Sequence, residues 1–141
     1  MKRTRPGIRD RPIELLSGFI NEMEVYIFMR TFMRTLEFTV ERQRLTKKKD
    51  CDFSKIVAGT SGYLQAKFYF SAIEWGGCKK VASFWLNDEE FAAPLGNDNT
   101  CIIPSEVLTG KKFAVSVTGV RPGTDYRIKS DRITVKQEVY R

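Results

Sequence analysis

The hydrophobic residues of this 141-residue chain recur at every second position from Leu36 onward. In the segment LEFTV, Leu36, Phe38 and Val40 share one side of an extended chain, and in RITVKQ the same holds for Ile133 and Val135. Because successive side chains of a strand point to opposite faces of a sheet, this spacing is typical of half-buried antiparallel strands. The pattern therefore predicts a chain built mainly from short strands.

Turn-forming residues separate the predicted strands, with LNDEE as a hairpin turn and GNDNT as a second turn. The segment PSEVLTG predicts a single helical turn, because proline favours a helix start and glycine a helix end. Six or seven strands in a domain of this size fit an all-β antiparallel β-sandwich of the immunoglobulin-like kind. A small barrel of the OB type is the alternative. The predicted strands are LEFTVERQRL, YLQAKFYF, KKVASFWL, EEFAAP, CIIP, KKFAVSVTG and RITVKQ.

Residues 1–32 differ from the rest of the chain. They begin with the basic, proline-broken stretch KRTRPGIRDRP and continue into a segment with a helical apolar pattern. We expect an N-terminal extension over 1–32, irregular or helical, followed by the sandwich domain over 33–141. One hypothesis is that translation starts at Met29 or Met33, since codons for Met-Glu-Val at 23–25 can contain a ribosome-binding sequence. The other is a basic arm that docks on a partner.

The composition excludes several kinds of catalytic and metal site, but it leaves several classes of partner open. A net charge of +7 favours acidic partners such as nucleic acid, anionic cell-wall polymers or lipid headgroups. The chain has no histidine, which removes the Ser-His-Asp and Cys-His nucleophile arrangements and most zinc sites. The acidic turns do not have the spacing of a calcium loop. We therefore expect no enzyme activity, no catalytic residue, no metal ligand and no cofactor.

Neither a membrane span nor a signal peptide is predicted. The most apolar N-terminal window, GFINEMEVYIFMRTFM, is too short and too charged to cross a bilayer. The three cysteines, Cys51, Cys78 and Cys101, form no C-x-x-C pair, and their odd number favours reduced, half-buried thiols. A single bridge joining Cys51 to Cys78, or Cys78 to Cys101, is the alternative.

The most aromatic stretch is YLQAKFYFSAIEWGGCKKVASFW, which spans residues 63–85. Its alternation predicts that Phe68 and Phe84 fill the core of the sandwich. The remaining aromatic residues and the nearby lysines could form a platform on which a partner or ligand lies. The residues of this predicted surface are Tyr63, Lys67, Tyr69, Trp75, Lys79 and Lys80.

The order of these elements over residues 33–139 resembles a family from phages and prophages of Gram-positive bacteria. Its members are small immunoglobulin-like modules of tail and baseplate proteins, similar to the N-terminal part of upper baseplate proteins. The resemblance is carried by YLQAKFYFSAIEWGG with its W-x-G ending, by KKVASFW, by CIIPSEVLTGKKFAVSVTGV and by YRIKSDRITVKQ. In the family, CIIPSEVL looks like a polar-capped helical turn that crosses from one sheet to the other.

The resemblance implies a structural role in the virion without catalysis. Such a module would bind other virion proteins through its sheet edges and end loops, and copies would meet each other in a ring or trimer. It would be made in the cytoplasm of the bacterial host and end up in the virion. The glycines after Trp75 would allow a sharp corner in the fold.

Two other functions remain open at this point. One is a phage protein that binds single-stranded nucleic acid on an OB-like barrel, through Tyr63, Lys67, Tyr69 and Lys80. The other is a module that binds carbohydrates of the host wall through a surface tryptophan.

Overall fold

The computed structural model describes residues 32–140, and the expectations for residues 1–31 lie outside this range. A compact unit begins at Arg34 and consists of two facing β-sheets, so the predicted all-β sandwich is confirmed. Within residues 32–140, no helix is long and apolar enough to cross a membrane.

Within residues 32–140, nine strands form the two sheets. The first sheet has the order β2-β1-β3-β6, and the second has the order β5-β4-β7, with both β8 and β9 paired to the far side of β7. The strands are β1 (Arg34–Glu41), β2 (Arg44–Lys47), β3 (Leu64–Phe70), β4 (Lys79–Leu86), β5 (Glu89–Pro94), β6 (Thr100–Ile102), β7 (Lys112–Val120), β8 (Arg127–Lys129) and β9 (Ile133–Lys136).

The predicted turns are present where the sequence placed them. The loop between β4 and β5 contains Asn87 with φ of +57°, and the loop between β5 and β6 contains Asn99 with φ of +62°. Asparagine tolerates this left-handed region better than most residues do. A 3-10 turn, Ser105–Thr109, follows β6 and leads into β7 in the other sheet, although its N-terminus has no side-chain hydrogen bond, unlike the polar cap expected from the resemblance.

The expectation of a purely antiparallel sheet is wrong at one pair of strands. Strands β1 and β3 run parallel, in a register that places Arg34 beside Leu64 and Val40 beside Phe70. A parallel pair needs a long connection, and here residues 48–63 provide it. This connection reaches the second sheet, where Val57 bridges Glu138, before the chain returns to start β3.

The single strand predicted over LEFTVERQRL is a hairpin. The chain reverses at Arg42 and Gln43, and Arg42 adopts a φ of +56°. No glycine or asparagine marks this turn, which explains why the sequence pattern did not reveal it. Strand β8 was also not predicted, and a four-residue helix, α1 (Ala72–Trp75), lies between β3 and β4.

The core between the sheets is rich in aromatic side chains. Phe68 and Phe84 are at most 1% exposed, as predicted, and they pack in the same interior as the apolar side of β1. The rings of Phe38 and Phe68 stack with their centroids 5.1 Å apart, and Phe53 meets Phe38 edge-on at 5.3 Å. Residues 63–85 therefore contribute most of their large apolar surface to packing.

The corner after β3 closes one end of the sandwich. Trp75, the last residue of α1, is completely buried with its ring 4.9 Å from that of Phe70. Its indole N–H donates to the carbonyl of Arg42 at 2.7 Å, and the hydroxyl of Tyr126 donates to the carbonyl of Glu74 at 2.7 Å. Gly77, with φ of +73°, then redirects the chain into β4, as the W-x-G pattern predicted.

We expect Gly119→Ala to destabilise the fold by about 1–3 kcal/mol, since overpacking a filled core forces neighbouring groups to move. A Cβ atom at this position would lie 2.9 Å from the Trp75 ring and 3.2 Å from the Cβ of Cys78. Urea unfolding of both proteins measures the change. Gly110→Ala is the matched control, because its Cβ would meet only Leu86 at an ordinary 3.6 Å. Equal stability of the two variants would contradict the tight corner.

All three cysteines are free thiols, as predicted. Burial raises the pKa of the Cys101 thiol from 9.0 to about 12. At pH 8 the reactive thiolate of Cys101 should therefore be about a thousandfold scarcer in the folded protein than in the unfolded chain. Alkylation followed by peptide mass spectrometry, with and without urea, measures the two labelling rates. Equal rates for Cys101 in both conditions would show that its thiol is not shielded.

Candidate functional site

The residues of the predicted surface do not form one surface. Tyr63, Lys67 and Tyr69 lie on the outer face of the first sheet, on or next to β3, whereas Lys79 and Lys80 belong to β4 in the second sheet. The side chain of Lys80 lies on the inner side of its sheet and places its ammonium group 5.1 Å from the centre of the Phe70 ring. A platform that combines all of these residues is therefore not formed.

The prediction that Trp75 belongs to this surface is wrong. Its side chain has no exposed area, because α1 turns it into the space between the sheets rather than outward. The alternation of the sequence assigned Phe68 and Phe84 to the core and left Trp75 for the outer face or its edge. A helix of four residues is too short to show a helical pattern of apolar residues in the sequence, so the pattern did not reveal that its last side chain points inward.

The side chain of Tyr69 contacts charged side chains of the protein itself. The ammonium groups of Lys48 and Lys67 lie 5.5 Å and 5.4 Å from its centre, close enough for cation–π attraction. Its hydroxyl donates a hydrogen bond of 2.8 Å to the Glu37 carboxylate. This bond raises the pKa of the Tyr69 phenol above its ordinary value, with smaller contributions from burial and from the negative charge of Glu37. Tyr69 is thus a fixed part of a charged cluster.

Tyr63 is the most exposed of the predicted aromatic residues, at 48%. It immediately precedes β3, and its carbonyl accepts a hydrogen bond from the Arg34 amide. Ile102 on the neighbouring strand β6 is also exposed, at 56%, and pairs with Gln65 of β3. Tyr63 and Ile102 both present apolar groups on the outer face of the first sheet.

Trp85, the other tryptophan, has its ring covered on the outer face of the second sheet. The guanidinium of Arg132 stacks over the ring at 3.8 Å, and the indole N–H donates to the hydroxyl of Ser116 at 3.1 Å. A sugar or base that stacks on Trp85 would first have to displace Arg132. Neither tryptophan therefore offers an open ring face.

Strand β5 forms an edge of the second sheet, since its only paired neighbour among the described residues is β4. The amide of Leu95 donates to the carbonyl of Lys80, which continues the ladder beyond β5. Because the bonding direction alternates along a strand, the backbone groups of Glu90 and Ala92 point away from β4. Pro94 has no N–H to offer, so the edge available to another chain is short.

The edge at β6 is shortened by the turn that precedes it. The carbonyl of Thr100 accepts from the amide of Gly96 at 3.0 Å, and its amide donates to the Asp98 carboxylate at 3.3 Å. These bonds occupy the backbone groups that Thr100 would otherwise offer to a further strand.

A cleft of about 430 Å³ lies where β4 begins, beside the turn between β5 and β6. Lys79, Lys80 and Cys78 line one side, and Gly96 and Asn97 line the other. The lining has no carboxylate. Within residues 32–140, no three side chains of the metal-ligating types come together.

Sequence reasoning missed Glu37 and Arg132, which hold Tyr69 and Trp85 in place. Glu37 becomes a neighbour of Lys67 only through the parallel pairing of β1 and β3. Arg132 reaches Trp85 from a segment that follows β8. Both contacts depend on strand register, which a single alternating pattern does not encode.

No protein-family model, curated protein or solved structure matches this chain.

We expect Glu37→Gln to lower the pKa of Tyr69, because the substitution removes the carboxylate whose hydrogen bond and charge favour the protonated phenol. Ultraviolet titration of tyrosine ionisation, with Tyr69→Phe subtracted to isolate this residue, measures the shift. Glu41→Gln is the control, since Glu41 is an exposed carboxylate further along the same strand. An unchanged Tyr69 titration in Glu37→Gln would show that the cluster does not hold in solution.

Proposed function

We propose that the chain is a non-catalytic structural module that binds other proteins, and that it serves as an adaptor in the tail or baseplate of a phage virion. The proposal of a non-catalytic, protein-binding module rests on how the aromatic rings are buried or covered. A site that stacks bases or sugars needs open ring faces. Here the Trp75 ring is buried, that of Trp85 lies under Arg132, and that of Tyr69 is held between two lysines.

What remains for recognition is the sheet faces, the loops and strand edges such as the short edge at β5. Strand edges and flat sheet faces are surfaces that other proteins use. The β5 edge combines Glu90, an acidic residue, with Pro94, and both features limit uncontrolled strand addition. This supports a module that contacts defined neighbours without polymerising through its edge.

The virion part of the proposal rests on the resemblance of residues 33–139 to tail and baseplate modules. Two features of the structure agree with that resemblance. The W-x-G segment forms a buried corner, and the segment after CIIP forms a helical turn that leads from the first sheet to the second. In such an assembly we expect copies of the chain to meet each other in a closed ring or trimer, as virion parts generally do.

Nucleic-acid binding is the alternative function that the experiment must exclude. Tyr63 and the net positive charge are the features that would favour it. Phosphate binding weakens steeply as salt rises, whereas a packed protein interface depends on salt much less.

Native mass spectrometry of the full chain, with and without a short oligonucleotide at low and moderate salt, tests the molecular part. We expect a defined homo-oligomer whose mass does not change with the oligonucleotide. A monomer that takes up the oligonucleotide and releases it at moderate salt would contradict the proposal. Tyr63→Ala is the matched variant, because it should then weaken uptake.

Fractionation of phage particles from the strain that encodes the chain tests the virion part. We expect peptides of this chain to co-sediment with tail proteins through a density gradient and to resist a salt wash. Their presence only in the soluble fraction would contradict a structural role in the virion.

A further inference from the structure

The positive charge of the sandwich is concentrated on the outer face of the second sheet. The burial pattern turns the apolar positions of β4, β7, β8 and β9 inward, so the alternate positions face outward. Arg132 joins this face through its stacking on Trp85. The cationic residues there are Lys79, Lys112, Arg127, Lys129, Arg132 and Lys136.

Only one carboxylate accompanies them among the outward strand positions. It belongs to Glu90 on β5, which accepts a hydrogen bond from the hydroxyl of Ser83. Asp88, which lines a cleft with Trp85 and Lys112, adds a second carboxylate beside the strands, so six cations against two carboxylates leave this face with a net charge of +4. Residues 32–140 as a whole have 17 cations and 13 carboxylates, a net of +4, so the remaining surface is close to neutral.

The outer face of the first sheet shows the contrast. Its outward strand positions carry two carboxylates, Glu37 and Glu41, and two cations, Arg44 and Lys67, and Lys48 over the Tyr69 ring brings the net charge of this face to only +1. The difference between the two faces comes from strand register, because the charged residues are spread along the whole sequence. A solvated surface with charges placed only for solubility would not require this separation.

The centre of the positive face combines a row of small side chains with the stacked pair of Trp85 and Arg132. Ala92, Ser83 and Ser116 form the row of small side chains, and the next row places Glu90, Trp85 and Ala114 side by side. The other cations lie toward the ends of the strands. An aromatic ring and an arginine at the centre of a surface are typical of a protein–protein interface.

The interaction of Arg132 with Trp85 makes this centre rigid before any partner arrives. The stacked guanidinium lies flat on the ring, and the ring is itself held by the hydroxyl of Ser116. A guanidinium fixed in this way can still donate from its edge to a carboxylate in bidentate fashion. Less side-chain entropy is lost on binding when the contacting group is already ordered.

We propose that this positive face docks on the acidic surface of a different protein; the inference rests on the proposed adaptor role. A second copy of the chain is a poor match, because its other sheet face has no excess of carboxylates. Nucleic acid is a poorer match than an acidic protein, since a uniformly charged strand would also meet the carboxylates of Glu90 and Asp88. The face also has no open ring for a base to stack on.

The size of the face sets the strength of binding. Four strand positions about 4.8 Å apart, each with about six residues, cover roughly 400 Å². That is about half of the ~800 Å² that each partner buries in a stable complex. We therefore expect weak, salt-dependent binding by one copy, which becomes strong when several copies of an oligomer bind together.

The test compares two triple variants of the full chain that lose the same charge. The first triple variant changes the positive face and carries Arg127→Ser, Lys129→Ser and Lys136→Ser. The second triple variant changes exposed positions elsewhere and carries Arg44→Ser, Lys49→Ser and Lys55→Ser. The probes are a peptide of alternating glutamate and leucine, an equally charged peptide of alternating glutamate and serine, and an oligothymidylate of the same charge. Fluorescence anisotropy at low and physiological salt measures their affinities.

We expect the first triple variant to weaken binding of the glutamate–leucine peptide on the order of tenfold, and the second by less than about twofold. The glutamate–serine peptide should bind more weakly than the glutamate–leucine peptide, because it buries no apolar side chain on the centre of the face. Equal losses in both variants, or equal affinities of both peptides, would overturn the proposal. Oligothymidylate binding that is tighter than either peptide and is lost with the first variant would assign the face to nucleic acid.

The peptide-binding test can fail or succeed independently of the tests of the proposed function. If the chain co-sediments with virions but both variants bind the peptides alike, the face assignment is wrong and the adaptor role stands. If the chain is absent from virions but the first variant loses the peptide selectively, the face assignment stands and the virion role is wrong.

Discussion

Burial of Trp75 at the end of the sandwich is the constraint on which the other elements depend. Its ring fills the space over Gly119, where even one added carbon would lie 2.9 Å away, and it packs against Phe70. Its N–H ties α1 to the turn at Arg42, which is the end of the first hairpin. A single side chain thus links the ends of β1, β3 and β7, and β4 starts from the same packed corner.

This packing also determines which side chains remain for recognition. Trp75 is buried, and cationic side chains lie over Tyr69 and Trp85, so the surface offers mainly cations, small residues, strand edges and the ring of Tyr63. Intramolecular cation–π contacts order these long side chains and lower the entropy that binding would cost. The proposed adaptor role is supported by rings that are already occupied, and the proposed positive face adds the requirement for a partner that brings carboxylates.

The sequence predicted the strands well because each strand is a local pattern of apolar residues. The segments around Phe38, Phe68, Phe84 and Val115 alternate strictly, and all of them became half-buried strands. It predicted the binding surface poorly. Lys79 and Lys80 are adjacent in sequence, yet one lies on the outer face and the other covers a core ring from the inner side, because neighbouring residues of a strand point in opposite directions.

By itself, the sequence determined the class of the fold, the places of most turns and the apolar side of each strand, because alternation and turn chemistry act over a few residues. Only the tertiary structure decided which strands are neighbours. The parallel pairing of β1 with β3 brought Glu37 to Lys67 and Tyr69, and the pairing of β7 with β8 and β9 gathered the cations on one face. Register joins residues that are distant in sequence, and it is set by the way the whole core packs.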